Sequence, residues 1–285
     1  MERRKSDTKR VFLKKGACSH TLFYIVNRDF GHLKEQEEAA SDPLAGGIIS
    51  QGYQCGMLWG TALAVGAESY RRNGNRGNAI ARAITATQHV LKSFIARAKS
   101  ADCADITSCD FQGKSGLWKY LLTGKPITCF RLADKWAPEA IQSAREGLSP
   151  DMDGGVQEAR SCASEVVWKM GGTDEEAVMA AGFAGGFGLS GNACGALSAA
   201  IWKNALARVK EQTFKYTLSD PEADKILESF HEETGYEMEC SKIAGRGFKN
   251  VAEHTEFISA GGCQKLINVL AESAAHQAAA PASHS

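Results

Sequence analysis

The sequence predicts an all-α protein made of two similar small helical bundles that arose by internal duplication. Three observations carry this reading. Apolar residues recur at helical spacing on one side of several segments, alternating strand patterns bounded by hairpin turns are missing, and a cysteine–glycine segment occurs twice. Two related bundles in one chain suit packing as a pseudo-dimer.

The elements follow in order. In the first half, GMLWGTALAV from Gly56 is long enough for a buried helix opened by Cys55. Ile80, Ile84, Leu91, Phe94, Ile95 and Ala98 form the next stripe, with Asn78 as N-cap. Gly147 to Gly155 is a Pro/Gly/Asp stretch suited to a join between the halves. In the second half Asp174 to Ala181 reads as helical, and Cys194 opens GALSAAIW. Ser219 and Glu222 offer a capping box with Pro221 inside the first turn, ahead of Ile226, Leu227 and Phe230. Leu266, Ile267, Leu270, Ala271 and Ala274 make the last stripe. Each half therefore predicts four or five helices. The units are residues 1–148 and 149–275, followed by a low-complexity tail, 276–285, expected to be disordered.

The duplication is anchored on two ungapped segments. Gly46-Gly47, four residues, Gly52, two residues, Cys55-Gly56 matches Gly185-Gly186, four residues, Gly191, two residues, Cys194-Gly195. Outward from it, Cys18 pairs with Cys162, Cys103 with Cys240 and Cys129 with Cys263. Successive cysteine spacings are 37, 48 and 26 in the first half and 32, 46 and 23 in the second. Cys109, the ninth cysteine, has no counterpart.

Composition narrows the function. Thirty-three basic and 33 acidic residues leave no net field to draw in nucleic acid. The longest uncharged apolar run, Gly56 to Ala67, is too short to span a bilayer. The charged start, MERRKSDTKR, lacks an apolar segment behind it, so no secretory signal is expected and the cytoplasm is the expected location. In a reducing compartment nine cysteines favour free, metal-bound or redox-active thiols over structural disulfides.

The repeated segment carries the chemistry. Gly46, Gly47 and Gly52 suit positive φ or close approach of another group. Cys55 and Cys194 each precede a helix, whose free N–H groups and dipole favour a thiolate, the form that ligates metal or attacks as a nucleophile. Inert buried cysteines and packing glycines are the plainer alternative. Gly186, Gly188 and Gly191 spell GxGxxG but follow a helical segment, not a strand, which argues against a dinucleotide site. His231 begins no HExxH, because Gly235 stands at the second ligand position; the seven scattered histidines read as surface or capping residues. Arg71, Arg72 and Arg76 read as a solvated loop. Trp59 and Trp202 suit either shielding of a cofactor or plain core packing.

These residues resemble the four-cysteine C_GCAxxG_C_C family of redox-active proteins, whose hallmark is a CGAxxG box. The second half is the closer likeness, in SCASEVV, GFAGGFGLSGNACGALSA, ECSKIAG and Cys263. Its box has Ala199 at the last glycine position, whereas the first half keeps Gly60 but has Met57 in place of Ala. The two halves are therefore not expected to be equally active. The resemblance implies a helical redox protein with Cys18, Cys55, Cys103 and Cys129 as one set and Cys162, Cys194, Cys240 and Cys263 as the other. Either set would ligate a [2Fe–2S] or [4Fe–4S] iron–sulfur cluster for electron transfer with a redox partner protein. The alternatives are a thiol–disulfide oxidoreductase with paired cysteines and a zinc-stabilised or metal-free structural protein. The glycines Gly46, Gly47, Gly52, Gly56, Gly185, Gly186, Gly191 and Gly195 would support the sets. No nucleic acid or membrane partner is expected, and a homo-oligomer is left open.

Overall fold

A computed structural model of the chain describes residues 7–73, 75–109, 120, 122–149, 158–216 and 220–278, with side chains described to residue 274. Among these residues the structure is helical, with no named strand. The first half contains α1 (Thr8–Lys15), α2 (Cys18–Phe30), α3 (Glu35–Ala39), α4 (Gly56–Arg72), α5 (Arg76–Ala98), α6 (Cys103–Thr107) and α7 (Lys125–Gly147). The second contains α8 (Cys162–Lys169), α9 (Asp174–Ala180), α10 (Gly195–Lys210), α11 (Pro221–Thr234), α12 (Cys240–Ile243), α13 (Val251–Ser259) and α14 (Gln264–Ala278). Seven described helices per half exceed the four or five expected. The additions are short, four to nine residues, and an apolar stripe needs more turns than that to declare itself.

Some of the described helices start on a side-chain cap. Asn75, not Asn78, caps α5, its side chain accepting from the Asn78 N–H. Asp220 caps α11 and accepts from the Glu222 and Ala223 N–H groups. Ser219 and most of the expected join, residues 150–155, lie outside the described residues. Helix α14 continues to Ala278, past the start of the expected disordered tail.

The halves share one core. Helix α4 packs on α9 and its following 3-10 turn, Ala181–Phe183, while α10 packs reciprocally on α3 and its 3-10 turn, Asp42–Leu44. Each contact is the counterpart of the other under the duplication, the pattern of a pseudo-two-fold pair. Trp59 is fully buried between the rings of Phe183 and Phe187, at 4.7 and 4.9 Å between centroids and edge-to-face. Burying such a side chain contributes roughly 2–3 kcal/mol, so the halves meet through core rather than a polar seam. Gly66 permits the approach, since a Cβ there would lie 2.4 Å from the Met179 carbonyl oxygen. Across the same junction the Trp202 Nε1–H donates to the Glu37 carbonyl at 3.2 Å. Among the described residues no helix is long and apolar enough to cross a membrane.

Candidate functional site: two four-cysteine centres

The glycine-rich segment is a left-handed turn in both halves. Gly46, Gly47, Ile48, Ile49 and Ser50 have φ between +49° and +80°, and residues 185–189 between +59° and +76°. An L-residue in this conformation costs roughly 1–2 kcal/mol, so Ile48, Ile49, Phe187 and Leu189 are held there by their surroundings. Backbone bonds close the turn, Gly52 N–H to Gly46 O at 3.0 Å and Gly191 N–H to Gly185 O at 2.9 Å. The turn aims the Gly46 N–H at the Cys18 sulfur and the Gly185 N–H at the Cys162 sulfur.

A second device joins the second and third cysteines. An isolated antiparallel bridge pairs Gln54 with Asp102, and another pairs Ala193 with Glu239. Cys55 N–H donates to Ala101 O at 2.8 Å and Cys103 N–H to Tyr53 O at 2.7 Å. In the second half Cys194 N–H donates to Met238 O at 2.9 Å and Cys240 N–H to Asn192 O at 2.6 Å. A single bridge is too short to leave strand alternation in a sequence.

The glycine after each box cysteine makes room. A Cβ on Gly56 would sit 2.6 Å from the Cys18 sulfur, and one on Gly195 would sit 1.8 Å from the Phe183 carbonyl oxygen. Cys55 and Cys194 are the N-caps of α4 and α10, while Cys18 and Cys162 open α2 and α8. All nine cysteines are unbridged.

The two centres differ electrostatically. The Cys55 thiol, donating toward Cys18, holds the Cys18 thiol below its usual range, with help from the Gly46 and Ser19 N–H groups. The same interaction, with burial, pushes Cys55 well up. Burial also raises Cys103, and raises Cys129 to about 11 against a hydrogen bond from the Tyr120 hydroxyl at 3.4 Å. In the second half burial raises all four: Cys162, Cys240 and Cys263 move up, and Cys194 reaches about 11 despite the Leu197 and Ala196 N–H groups. The lowered pKa expected from the helix N-termini is thus outweighed at Cys55 by its interaction with Cys18 and by burial, and at Cys194 by desolvation; the lowered thiol is Cys18 instead.

Cys18, Cys55, Cys103 and Cys129 all line one cavity of about 380 Å³. Neighbouring charges felt at Cys162 and Cys240 come from the other cysteines of the second set, which places those four together as well. Cys263 also lines a separate surface cavity with Glu233, Glu237 and Lys242. Cys109 is buried beside the first set, its thiol donating to the Thr107 carbonyl at 3.5 Å. Among the described residues no group of three or more His, Cys, Asp or Glu side chains is placed to hold a metal ion. Four thiols lining one cavity are the donor type that an iron–sulfur cluster would take.

Other sequence signals resolve into structure. The GxGxxG glycines belong to the left-handed turn. Arg71 and Arg72 clamp Glu68 at 2.6–2.7 Å, and Arg76 stacks 4.6 Å over the Trp168 ring. Trp59 is a core residue, its Nε1–H donating to Gln54 O. His20 and His254 are buried rather than superficial. Burial pulls His254 down to about 4, and His20 faces Asp42 at 3.5 Å. Sequence reading did not single out Tyr120, Asp42 or the residues 214–216 that line the cavity, because none of them belongs to the repeated segment.

No curated protein and no solved structure matches the chain. A family described as "Putative redox-active protein (C_GCAxxG_C_C)" matches twice, over residues 17–137 and 159–277. Each match spans all four cysteines of its half, so the chain belongs to the C_GCAxxG_C_C redox-active family and carries its unit in tandem.

Proposed function

We propose that the first half is a two-electron thiol redox centre in which Cys18 and Cys55 cycle between dithiol and disulfide. The observation that carries it is that Cys18, which opens helix α2, and Cys55 line one cavity, with Cys55 holding the Cys18 thiol below its usual range. Cys18 is half-buried and Cys55 is 4% exposed. A thiol of lowered pKa within reach of a small substrate, with a resolving thiol behind it, supports this reading.

The Cys18 thiolate attacks a disulfide R–S–S–R′, forming a mixed disulfide and releasing R′–S⁻. The Cys55 thiol loses its proton to that leaving thiolate and attacks Cys18, closing the Cys18–Cys55 bond and expelling the second thiolate. Two electrons pass to the substrate. The Gly46 and Ser19 N–H groups stabilise the attacking sulfur, and Gly56 lets the two sulfurs meet. In the second half desolvation keeps the thiols protonated, and that half serves as a packed partner.

The four cysteines around one cavity favour a second reading, electron transfer with a redox partner protein. Cys18, Cys55, Cys103 and Cys129 would then hold an iron–sulfur cluster, which supplies one-electron chemistry when bound; Cys162, Cys194, Cys240 and Cys263 are the equivalent donors. Anaerobic purification with iron analysis, visible absorption and peptide mapping after disulfide treatment tests both. Iron-free protein that forms the Cys18–Cys55 bond supports the dithiol reading. Stoichiometric iron with charge-transfer absorption overturns it in favour of the cluster.

A further inference from the structure

The second half lines part of the first half's thiol cavity. Phe214, Lys215 and Tyr216, from the segment after α10, and Asp220, the cap of α11, lie on its wall. The equivalent connection in the first half, between α4 and α5, runs only over residues 73–75, whereas this one runs over 211–220. Its described residues, 211–216 and 220, are anchored. Thr213 and Phe214 N–H groups donate to the Arg208 carbonyl at 2.9 and 3.1 Å, and the Arg208 guanidinium grips Asp220 at 3.0 and 2.6 Å. The same guanidinium lies 5.1 Å over the Phe214 ring, which meets Tyr216 edge-to-face at 5.2 Å.

We propose that the second half is the recognition wall of the first-half site, and that the molecule it selects is a small aromatic disulfide rather than a protein disulfide. This rests on the reading of Cys18 and Cys55 as the working pair. Three features support it. The cavity, about 380 Å³, falls in the range of small-molecule sites. Cys18, the attacking thiol, is itself half-buried on the cavity lining, so a disulfide must enter the cavity to reach it. Phe12, Tyr120, Phe214 and Tyr216 bring four aromatic rings to the lining, suited to stacking and edge contacts with a flat ring. Asp220 is already paired with Arg208, so its carboxylate does not do the selecting.

The test compares dithiodipyridine, an aromatic disulfide, with hydroxyethyl disulfide, an aliphatic one, each rate at Cys18 being normalised to a free small thiol. Wild-type protein is expected to prefer the aromatic reagent by about tenfold, the scale of one or two ring contacts. A double variant, Phe214→Ala with Tyr216→Ala, is expected to abolish the preference, the normalised aromatic rate falling about tenfold relative to the aliphatic one. Fluorescence of anilinonaphthalene sulfonate on a Cys18→Ser background reads the wall without thiol chemistry, and binding should fall in the same double variant. An aromatic preference and probe binding that survive the double substitution overturn the proposal, as does equal reactivity toward an oxidised folded protein. Wall-dependent probe binding with an unreactive Cys18 supports the wall and instead removes the dithiol reading.

Discussion

The Cys103 amide donates to the Tyr53 carbonyl at 2.7 Å, and that carbonyl stands where a side chain on Gly47 would have to go. A Cβ on Gly47 would fall 2.3 Å from the Tyr53 oxygen, at a φ of +80°. One glycine thus protects the backbone link between the second and third cysteines of the first half.

Gly47→Ala is accordingly expected to destabilise the protein by about 3 kcal/mol, combining left-handed strain with overpacking. Urea unfolding followed by circular dichroism measures this. A variant as stable as wild type would mean that the turn is not needed to hold the bridge.

Cys55→Ala removes the donor facing Cys18. The Cys18 thiol should then titrate higher, so its alkylation by iodoacetamide near pH 7 slows by several-fold while the rate at pH 10 changes little. Mass spectrometry of the labelled peptide isolates Cys18 from the slower thiols. Unchanged alkylation at neutral pH would assign the lowered thiol to another cause.

Seven cysteines, Cys55, Cys103, Cys129, Cys162, Cys194, Cys240 and Cys263, are raised in the folded protein. Above the free-thiol pKa of about 8.5 the unfolded chain releases protons that the folded chain keeps, so stability falls as pH rises. Each such thiol contributes a slope of up to about 1.4 kcal/mol per pH unit. The loss continues at least to about 11, where Cys129 and Cys194 titrate. Thermal melts between pH 8 and 11 should show a steep decline, absent when the seven are replaced by Ser or Ala in a variant that still folds.

Glu176 joins α9 to α10, accepting from the Lys203 ammonium at 2.8 Å and from Lys210. Burial pushes its carboxyl up, but the two lysine hydrogen bonds outweigh burial and hold it below the usual range. Its stabilisation is therefore complete above the ordinary carboxyl pKa and is lost as pH falls through the lower folded value. Glu176→Gln leaves the 9%-exposed Lys203 side chain without its buried partner and should cost about 3 kcal/mol at pH 7. The difference from wild type should shrink below pH 4, which acid titration of stability checks.

Most of what was legible came from periodicity and repetition. Helix α4 follows an uninterrupted apolar run, α5, α11 and α14 follow one-sided apolar stripes, and the buried Ile80, Ile84, Phe94, Ile226 and Phe230 stand where those stripes put them. Ile95, expected on the stripe, is 40% exposed because it sits at the stripe's edge. The eight paired cysteines were visible as columns, since a duplication preserves order and approximate spacing. The short helices, the two bridges and the left-handed turns left no periodic trace, because each spans too few residues to repeat a pattern.

By itself the sequence determined a helical, duplicated chain with two sets of four cysteines and glycines where φ must be positive. Only the tertiary structure decided which thiol is lowered, because that depends on the contest between burial and a neighbouring donor. It also decided that the second half helps wall the first half's cavity, by bringing residues more than two hundred positions apart, such as Phe12 and Tyr216, to one lining. Local pattern records the former kind of fact; desolvation and long-range contact exist only once the chain has closed on itself.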